Sequence, residues 1–457
     1  MKIRKIVCIG AGYVGGTTMA VIADKCPDIK MVVLDINPRR IAEWNSDALP
    51  VFEPGLKEII ARCRGRNLFY EDAHPEAIPD ADMVFFSVNT PTKEFGEGAG
   101  MASDLQYNEQ SARFILPHLK DGAIIVEKST VPVQTAEAIS HILHHNNDGR
   151  HFPVLSNPEF LAEGTAIQDL EDPDRVLIGC EENEAGRAAA RALAEIYRRW
   201  VPEERIIFSN VWSAELSKLT ANAFLAQRIS SINAMTALCE VTKASVTEIS
   251  QAIGMDSRIG SKFLEAGVGF GGSCFRKDIL NLSYICQQQG LPEEAAYWKS
   301  VVGMNDYQIN RFTRNVIDRQ FNTVTGKKLA VFGFAFKPGT NDTRDSPARY
   351  VCLKLLEERA HLAITDPEAL ENAQRDLQGL TGKVEFEPDP YKAAAGAHAI
   401  VLITHWDAYR KLDYRRIFAT MEKPASFFDG RNWIDPHTLH EIGFHVYPIG
   451  KSPLLPD

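Results

Sequence analysis

Cys274 stands two residues after a run, 267–272, in which four of six residues are glycine: Gly267-Val-Gly-Phe-Gly-Gly-Ser-Cys274-Phe-Arg-Lys-Asp278. Such a run lets the backbone approach a ligand closely and offers N–H groups to phosphate oxygens. The apolar residues that follow (Ile279, Leu280, Leu282, Tyr284, Ile285) read as a helix. Cys274 is therefore expected at a helix N-terminus, where the dipole favours a thiolate. A phosphate cradle beside an activated thiol is the chemical expectation; a plain turn with a buried cysteine is the alternative.

Lys218 and Asn222 form a second chemical pair, spaced i, i+4. They lie in a segment from Trp212 to about Lys243 that has neither Pro nor Gly, with Leu216, Leu219, Ala223, Ala226 and Ile229 at helical spacing. A helix of that length runs about 45 Å at 1.5 Å per residue. That is more than one domain needs, so the helix is expected to bridge two. A lysine among apolar neighbours is costly unless it has a task.

The third signal is Gly10-Ala-Gly12-Tyr13-Val14-Gly15. It follows the strand Lys5–Ile9 and precedes a helix expected to begin with Thr18–Ala23. The strand Met31–Leu34 comes next, with Asp35 twenty residues beyond Gly15. This is the full context of a dinucleotide fingerprint. Gly10 permits the turn, Gly12 the approach of a pyrophosphate, and Gly15 close packing of the helix. Asp35 suits ribose hydroxyls and repels a 2′-phosphate, which favours NAD over NADP, with Arg39 and Arg40 weighing the other way. Gly267–Gly272 also fits GxGxxG, but it follows the helix-like Ser261–Ala266 rather than a strand.

The elements that must position these groups alternate. Strands are expected at Leu68–Tyr70, Met83–Val88, Ala123–Glu127, Pro153–Ser156, Arg175–Ile178 and Arg205–Phe208. Helices are expected around 56–66, 104–119, 133–145 and 184–200. This is a doubly wound parallel sheet, whose ligands lie beyond the carboxyl ends of the strands. Thr130 and Glu159 stand just past two such ends. After Gly326 a second α/β domain begins, with strands at Leu329–Phe336, His361–Thr365, Ala399–Ile403, Ser426–Phe428 and His445–Tyr447, and a helix at Ala348–Arg359. It lacks the glycine fingerprint but offers Lys337, Arg344 and Arg431 to a second anionic ligand. The expected fold is α/β: two Rossmann-like doubly wound domains joined by a long central helix and a helical middle domain. The boundaries are 1–210, 211–325 and 326–457.

A net charge of −10 argues against a nucleic-acid binder. No apolar run is long enough to span a bilayer. The eight cysteines are scattered without metal-ligand spacing. A cytoplasmic protein without a metal site is expected.

An NAD domain, a Lys/Asn pair and a reactive thiol narrow the reaction. Oxidising an alcohol to an aldehyde needs no thiol. Continuing to the acid does, because the aldehyde carbon must gain a nucleophile before it carries a transferable hydride again. Addition of Cys274 gives a thiohemiacetal, oxidation a thioester, and water releases the acid. Lys218 and Asn222 suit the successive oxyanions; Asp278 suits a base or a water-positioning group.

The chain resembles the UDP-glucose 6-dehydrogenases, the eukaryotic-type members of the UDP-glucose/GDP-mannose dehydrogenase family. The resemblance rests on Val-Cys-Ile-Gly-Ala-Gly-Tyr-Val-Gly-Gly at 7–16, Val88-Asn-Thr-Pro-Thr-Lys93, Glu127-Lys-Ser-Thr-Val-Pro-Val and Ser156-Asn-Pro-Glu-Phe-Leu-Ala-Glu-Gly-Thr-Ala-Ile. It continues through Glu215–Asn233, Gly267–Asp278, Phe334-Ala-Phe-Lys337 and Phe428-Asp-Gly-Arg431. It implies oxidation of UDP-glucose to UDP-glucuronate with two NAD. Cys274 would be the nucleophile. Lys218, Asn222 and Asp278 would handle protons, oxyanions and water, with Thr130 near the reacting centre and Glu159 as acid/base of thioester hydrolysis. Gly10, Gly12, Tyr13, Val14, Gly15, Asp35, Arg40, Thr90, Lys93, Ser129, Thr130, Glu163, Lys277 and Arg344 look like NAD contacts. Glu159, Phe160, Leu161, Glu163, Lys218, Asn222, Arg258, Gly267, Phe270, Gly271, Phe275, Lys337 and Arg431 look like substrate contacts. Family members are oligomers, eukaryotic-type ones commonly hexamers, which implies self-association through the central helix and Arg258 reaching a neighbouring subunit's site. Rival readings are a dehydrogenase of GDP-mannose or a UDP-N-acetylhexosamine, a silent nucleotide-sugar binder, and a two-electron enzyme in which Cys274 is structural.

Overall fold

A computed structural model describes residues 2–145, 148–379 and 383–456. The chain divides into two compact units, Met1–Ala221 and Asn222–Asp457.

The first unit is built on an eight-stranded sheet: β1 (Lys5–Ile9), β2 (Lys30–Asp35), β3 (Leu68–Asp72), β4 (Met83–Phe86), β5 (Ile124–Glu127), β6 (Val154–Ser156), β7 (Val176–Cys180) and β8 (Ile206–Asn210). Its order is β3-β2-β1-β4-β5-β6-β7-β8. Short Val/Ile/Leu-rich runs buried on both faces suit parallel pairing, and β1 to β6 pair in parallel. The expectation of a wholly parallel sheet fails at one joint, where β6 meets β7 antiparallel through Ser156 and Gly179. The first helix spans Tyr13–Lys25 and starts directly after Gly12, earlier than the apolar run at Thr18–Ala23 suggests. Its small residues explain the early start. A side chain at Gly16 would overlap the Trp44 indole, which is fully buried and stacks on Tyr70 at 4.8 Å.

The second unit begins inside the long helix Val211–Thr242 and continues through helices Val246–Gly254, Phe275–Gln288 and Pro292–Arg319. It ends in a sheet of β9 (Lys328–Phe332), β10 (His361–Thr365), β11 (Lys383–Phe386), β12 (Ala399–Leu402), β13 (Ser426–Asp429) and β14 (His445–Pro448). The order is β11-β10-β9-β12-β13-β14, all pairs parallel. Three expectations need correction here. Ser261–Ala266 is not helical, because Gly260 and Phe263 take φ of 72° and 62° and break the turn. The strand expected to reach Phe336 ends at Phe332, since Gly333 (φ 90°) turns the chain beneath Thr404. The edge strand β11 lies outside the expected strands, because four residues alternating Lys-Val-Glu-Phe carry too little apolar signal.

Asp366, just past β10, holds the place of a ribose acid in the second sheet. Its Oδ2 accepts from the amides of Phe334 (2.7 Å) and Ala335 (3.0 Å) and from the Trp406 indole (3.1 Å). Oδ1 accepts from the Glu368 and Ala369 amides. The carboxylate is thus committed to its own turn, in keeping with the missing glycines. Among the described residues no helix is long and apolar enough to cross a membrane.

Candidate active site

The glycine-rich turn after β1 is shaped for a dinucleotide. Gly10 (φ 103°) donates to Leu34 O at 2.7 Å, and a Cβ there would overlap the Ser87 carbonyl. A Cβ on Gly15 would overlap Gly10 O, whereas one on Gly12 would meet nothing within 4 Å. Gly12 caps the first helix without any side-chain hydrogen bond. The N-terminus of that helix is therefore open to a pyrophosphate, and the residues fit the group. Asp35 is buried: Oδ2 accepts from the Ala11 amide (2.8 Å) and from Arg40 (3.2 Å), and Oδ1 from the Asn37 amide (2.9 Å). Arg39 turns to Glu43 at 3.0 Å. Ser129 Oγ donates to Val88 O (2.9 Å) and Thr90 Oγ1 to Thr130 O (2.8 Å), so the ends of β4 and β5 are laced together. Lys93 bonds Glu97 O in an exposed loop.

These two glycines separate binding from folding. Gly12→Ala is expected to leave Tm unchanged and weaken NADH binding roughly tenfold, about 1.4 kcal/mol. Gly15→Ala is expected to destabilise by about 1–3 kcal/mol through overpacking. Melting curves and NADH fluorescence titrations check both; unaltered NADH affinity in Gly12→Ala would place the pyrophosphate elsewhere.

Beyond β6, Glu159 is held from both sides. Its Oε1 accepts from the amides of Phe160 (2.8 Å) and Leu161 (3.1 Å), and Oε2 pairs with Lys128 Nζ at 2.9 Å. Burial pushes the carboxyl up, but Lys128, the Phe160 amide and Lys218 outweigh it and hold it below the usual carboxylate value. Two cations lie over the Phe160 ring, the Arg175 guanidinium 3.7 Å and Lys218 Nζ 5.3 Å from its centroid. Lys218 is only 7% exposed. Glu163 follows in the same segment, whose far end is fixed by Glu53. That carboxylate accepts from Tyr13 OH and from the Gly164 and Ala166 amides.

The loop carrying Thr130 is anchored by the long helix. Glu215 Oε2 accepts from the Gln134 amide and Oε1 from the Ala136 amide, both at 2.7 Å. Burial pushes the Glu215 carboxyl up to about 7 in spite of those two bonds. Folded protein therefore keeps a proton there that unfolded chain has released. The resulting stability is complete below the ordinary value of 4.5 and is lost as pH rises through about 7. Glu215→Gln is expected to flatten this part of the Tm–pH curve, and an unchanged slope would assign the proton to another group.

In the second unit Cys274 is the N-cap of the helix Phe275–Gln288; it is exposed, Cys286 is half-buried and the other six cysteines are buried. Ser273 Oγ lies 3.4 Å from its Sγ. One turn on, Asp278 is 1% exposed, and its Oδ2 accepts from Asn222 Nδ2 at 2.6 Å. Lys277 Nζ stands 3.8 Å from Asp278 Oδ1. Three amides of the glycine stretch are bonded within the protein. Gly267 N donates to Asn233 Oδ1, Phe270 N to Asn305 Oδ1 and Gly272 N to Arg344 O, each at 2.8 Å. Buried amides need partners, and these three have protein ones. What the glycines permit is close approach: a Cβ on Gly267 would come 2.6 Å from Arg431 Nη1, and one on Gly271 would overlap Asp345 O. Arg431 also donates to Ile403 O (2.8 Å) and reaches Gly269 O (3.5 Å). Phe270 and Phe275 meet edge-to-face at 5.8 Å, and Lys337 Nζ lies 5.7 Å from the Phe336 ring centroid. Arg344 and Arg258 are exposed and paired with Asp342 and Asp256 in their own loops.

Lys128, Glu53, Arg175 and Glu215 were not singled out from the sequence. Only Lys128 carries a local signal, a lysine that follows a buried strand, Ile124–Glu127, directly.

Residues 4–201 match the NAD binding domain of the UDP-glucose/GDP-mannose dehydrogenase family, 212–307 its central domain and 330–436 its UDP binding domain. UDP-glucose 6-dehydrogenase 1 of Oryza sativa subsp. japonica is 58% identical, over 98% of this chain and 97% of the relative. UDP-glucose 6-dehydrogenase 1 of Arabidopsis thaliana is 56% identical over the same shares. A UDP-glucose dehydrogenase structure from Pyrobaculum islandicum superposes with a TM-score of 0.83 at 30% identity, covering 97% of this chain and 98% of that one. Three matching domains in one order, on a fold that carries the exposed cysteine and the glycine turn, leave one conclusion: the chain belongs to the UDP-glucose/GDP-mannose dehydrogenase family.

Proposed function

We propose that this protein is an NAD-dependent UDP-glucose 6-dehydrogenase, taking UDP-glucose through two successive oxidations to UDP-glucuronate. The observation that carries the reading is Cys274: an exposed thiol at a helix N-cap, one turn from a buried Asp278 bonded to Asn222. An enzyme stopping at the aldehyde has no use for it. NAD, bound at the Gly10–Gly15 turn with Tyr13, Val14, Asp35, Arg40, Thr90, Lys93, Ser129, Thr130, Glu163, Lys277 and Arg344 as contacts, supplies the hydride acceptor in both oxidations. The chain supplies everything else. Lys218 and Asn222 hold the negative charge that develops on the sugar's C6 oxygen. Cys274 thiolate adds to the aldehyde carbon, making a thiohemiacetal, and after the second oxidation it is the leaving group of the thioester. Asp278 orients Asn222 and takes part in moving protons. Glu159 receives a proton from the attacking water, and Thr130 stands near the reacting centre. Arg258, Phe160, Leu161, Gly267, Phe270, Gly271, Phe275, Lys337 and Arg431 contact the UDP-sugar, Arg258 from a neighbouring subunit.

The protein works in the cytoplasm as a homo-oligomer, a dimer or hexamer. Eight unpaired cysteines support a reducing compartment. Exposed Phe224, Leu238 and Val241 on the long helix support self-association. The test is one assay: UDP-glucose and NAD, counting NADH and acid, with GDP-mannose and a UDP-N-acetylhexosamine in parallel. About two NADH per UDP-glucose are expected from this scheme. Turnover of another nucleotide sugar without turnover of UDP-glucose would sink the substrate; one NADH per sugar would sink the covalent route.

A further inference from the structure

Lys128 is the deepest cation in the first unit, and the scheme above leaves it without a task. It follows β5, is 3% exposed, and its Nζ lies 2.9 Å from Glu159 Oε2, 3.1 Å from Asn157 Oδ1 and 3.3 Å from Tyr197 OH. An ammonium has three N–H donors, and three oxygens surround this one. The cage is itself fixed: Tyr197 OH donates to Asn157 Oδ1 at 2.7 Å, and Asn157 Nδ2 donates to Leu177 O at 2.8 Å. A buried ion pair is a poor device for stability, since apolar residues of similar volume fill the space at less cost. Its value lies in what the charge does to its partner. Two amides fix one oxygen of Glu159 and Lys128 fixes the other, which leaves the carboxylate a single orientation.

We propose that Lys128 is a positioning residue for thioester hydrolysis: its buried ammonium holds both the orientation and the negative charge of Glu159, the carboxylate that receives the proton of the attacking water. The water oxygen adds to the thioester carbon, its proton passes to Glu159, and the thiolate of Cys274 departs with the electron pair of the broken C–S bond. This rests on the role given to Glu159 above. The charged and titratable groups facing Glu159 are Lys128 after β5, Tyr197 from the helix Glu184–Tyr197, Lys218 from the long helix, and Arg175 before β7. Without Lys128, burial dominates, the carboxyl is protonated at higher pH, and the acid limb of turnover moves upward.

The experiment mixes the full-length protein rapidly with UDP-glucose and excess NAD, following NADH and the intact mass of the protein. Lys128→Met is expected to keep a burst of about two NADH per site while steady turnover falls roughly 10–100-fold, the usual effect of losing a supporting partner. A UDP-glucuronyl adduct should accumulate on Cys274, and the acid limb should shift to higher pH. Glu159→Gln should trap the same adduct. Because Lys128 acts through Glu159, the double variant Lys128→Met/Glu159→Gln should turn over no more slowly than Glu159→Gln alone. That comparison also decides the matter if Lys128→Met does not fold, since the double variant leaves no unpaired buried charge. Wild-type turnover with an unmoved acid limb in Lys128→Met, or a further tenfold loss in the double variant, would overturn the inference. If Glu159→Gln accumulates no adduct, the role of Glu159 falls first; if it does and Lys128→Met does not, only Lys128 is wrongly assigned.

Discussion

Replacing Cys274 with serine is expected to abolish UDP-glucuronate formation, by roughly 10⁴-fold or more, the scale seen when a covalent nucleophile is removed. The side chain stands at the N-cap of a helix, a position that serine favours, so the fold should be untouched. The chemistry is not. A hydroxyl is far less ionised than a thiol near neutral pH, and an alkoxide is a poorer leaving group from an acyl carbon. The first oxidation needs neither property, so the variant should release a little NADH in equilibrium with the aldehyde, at most one per sugar. Chromatographic quantification of the acid beside the NADH count reads this directly. Wild-type acid production by the serine variant would end the covalent scheme and return Cys274 to an accessible but structural thiol.

The second large effect is expected at Lys218. Lys218→Met keeps the length of a side chain that is 7% exposed, so its packing survives while its charge goes. Losing one preorganised stabiliser of an oxyanion costs about 10²–10³ in kcat. The charge develops in the transition state more than in bound substrate, so kcat should fall while KM for UDP-glucose stays near the wild-type value. The neighbouring Phe160 ring, 5.3 Å from Nζ, keeps the surroundings of this ammonium partly apolar and the electrostatic effect correspondingly large. Steady-state kinetics separate the outcomes. An unchanged kcat with a raised KM would make Lys218 a binding residue and remove it from the chemistry.

Much of this site is legible in the sequence, for identifiable reasons. Gly10–Gly15 announced itself because a tight turn, a close approach and a packed helix each demand glycine at a fixed offset. Lys218 and Asn222 stood out because polar residues inside an apolar helical pattern need an explanation. What stayed hidden was tertiary. Glu53 lies in a loop remote in sequence from the Gly164 and Ala166 amides it receives, and Glu215 caps a turn some eighty residues earlier. Nothing local marks either as buried. The stretch 267–272 shows what composition leaves open. Its glycines suggested free amides, yet three of the amides in it serve Asn233, Asn305 and Arg344, and the missing side chains instead make room for Arg431 and Asp345. Composition tells where a backbone is bare, but not which neighbour occupies the space. The antiparallel joint between β6 and β7 was equally invisible, because strand polarity leaves no mark on a three-residue apolar run.

The Cys274–Asp278 turn sets a rule about chain length. The amide of Asp278 donates to the Cys274 carbonyl at 2.8 Å, so the offset between thiol and carboxylate is that of one closed helical turn. Inserting or deleting a residue between them would rotate the later side chain by about 100° about the helix axis and carry Asp278 away from Asn222. The constraint falls on the number of residues between these two positions, apart from any demand on their types.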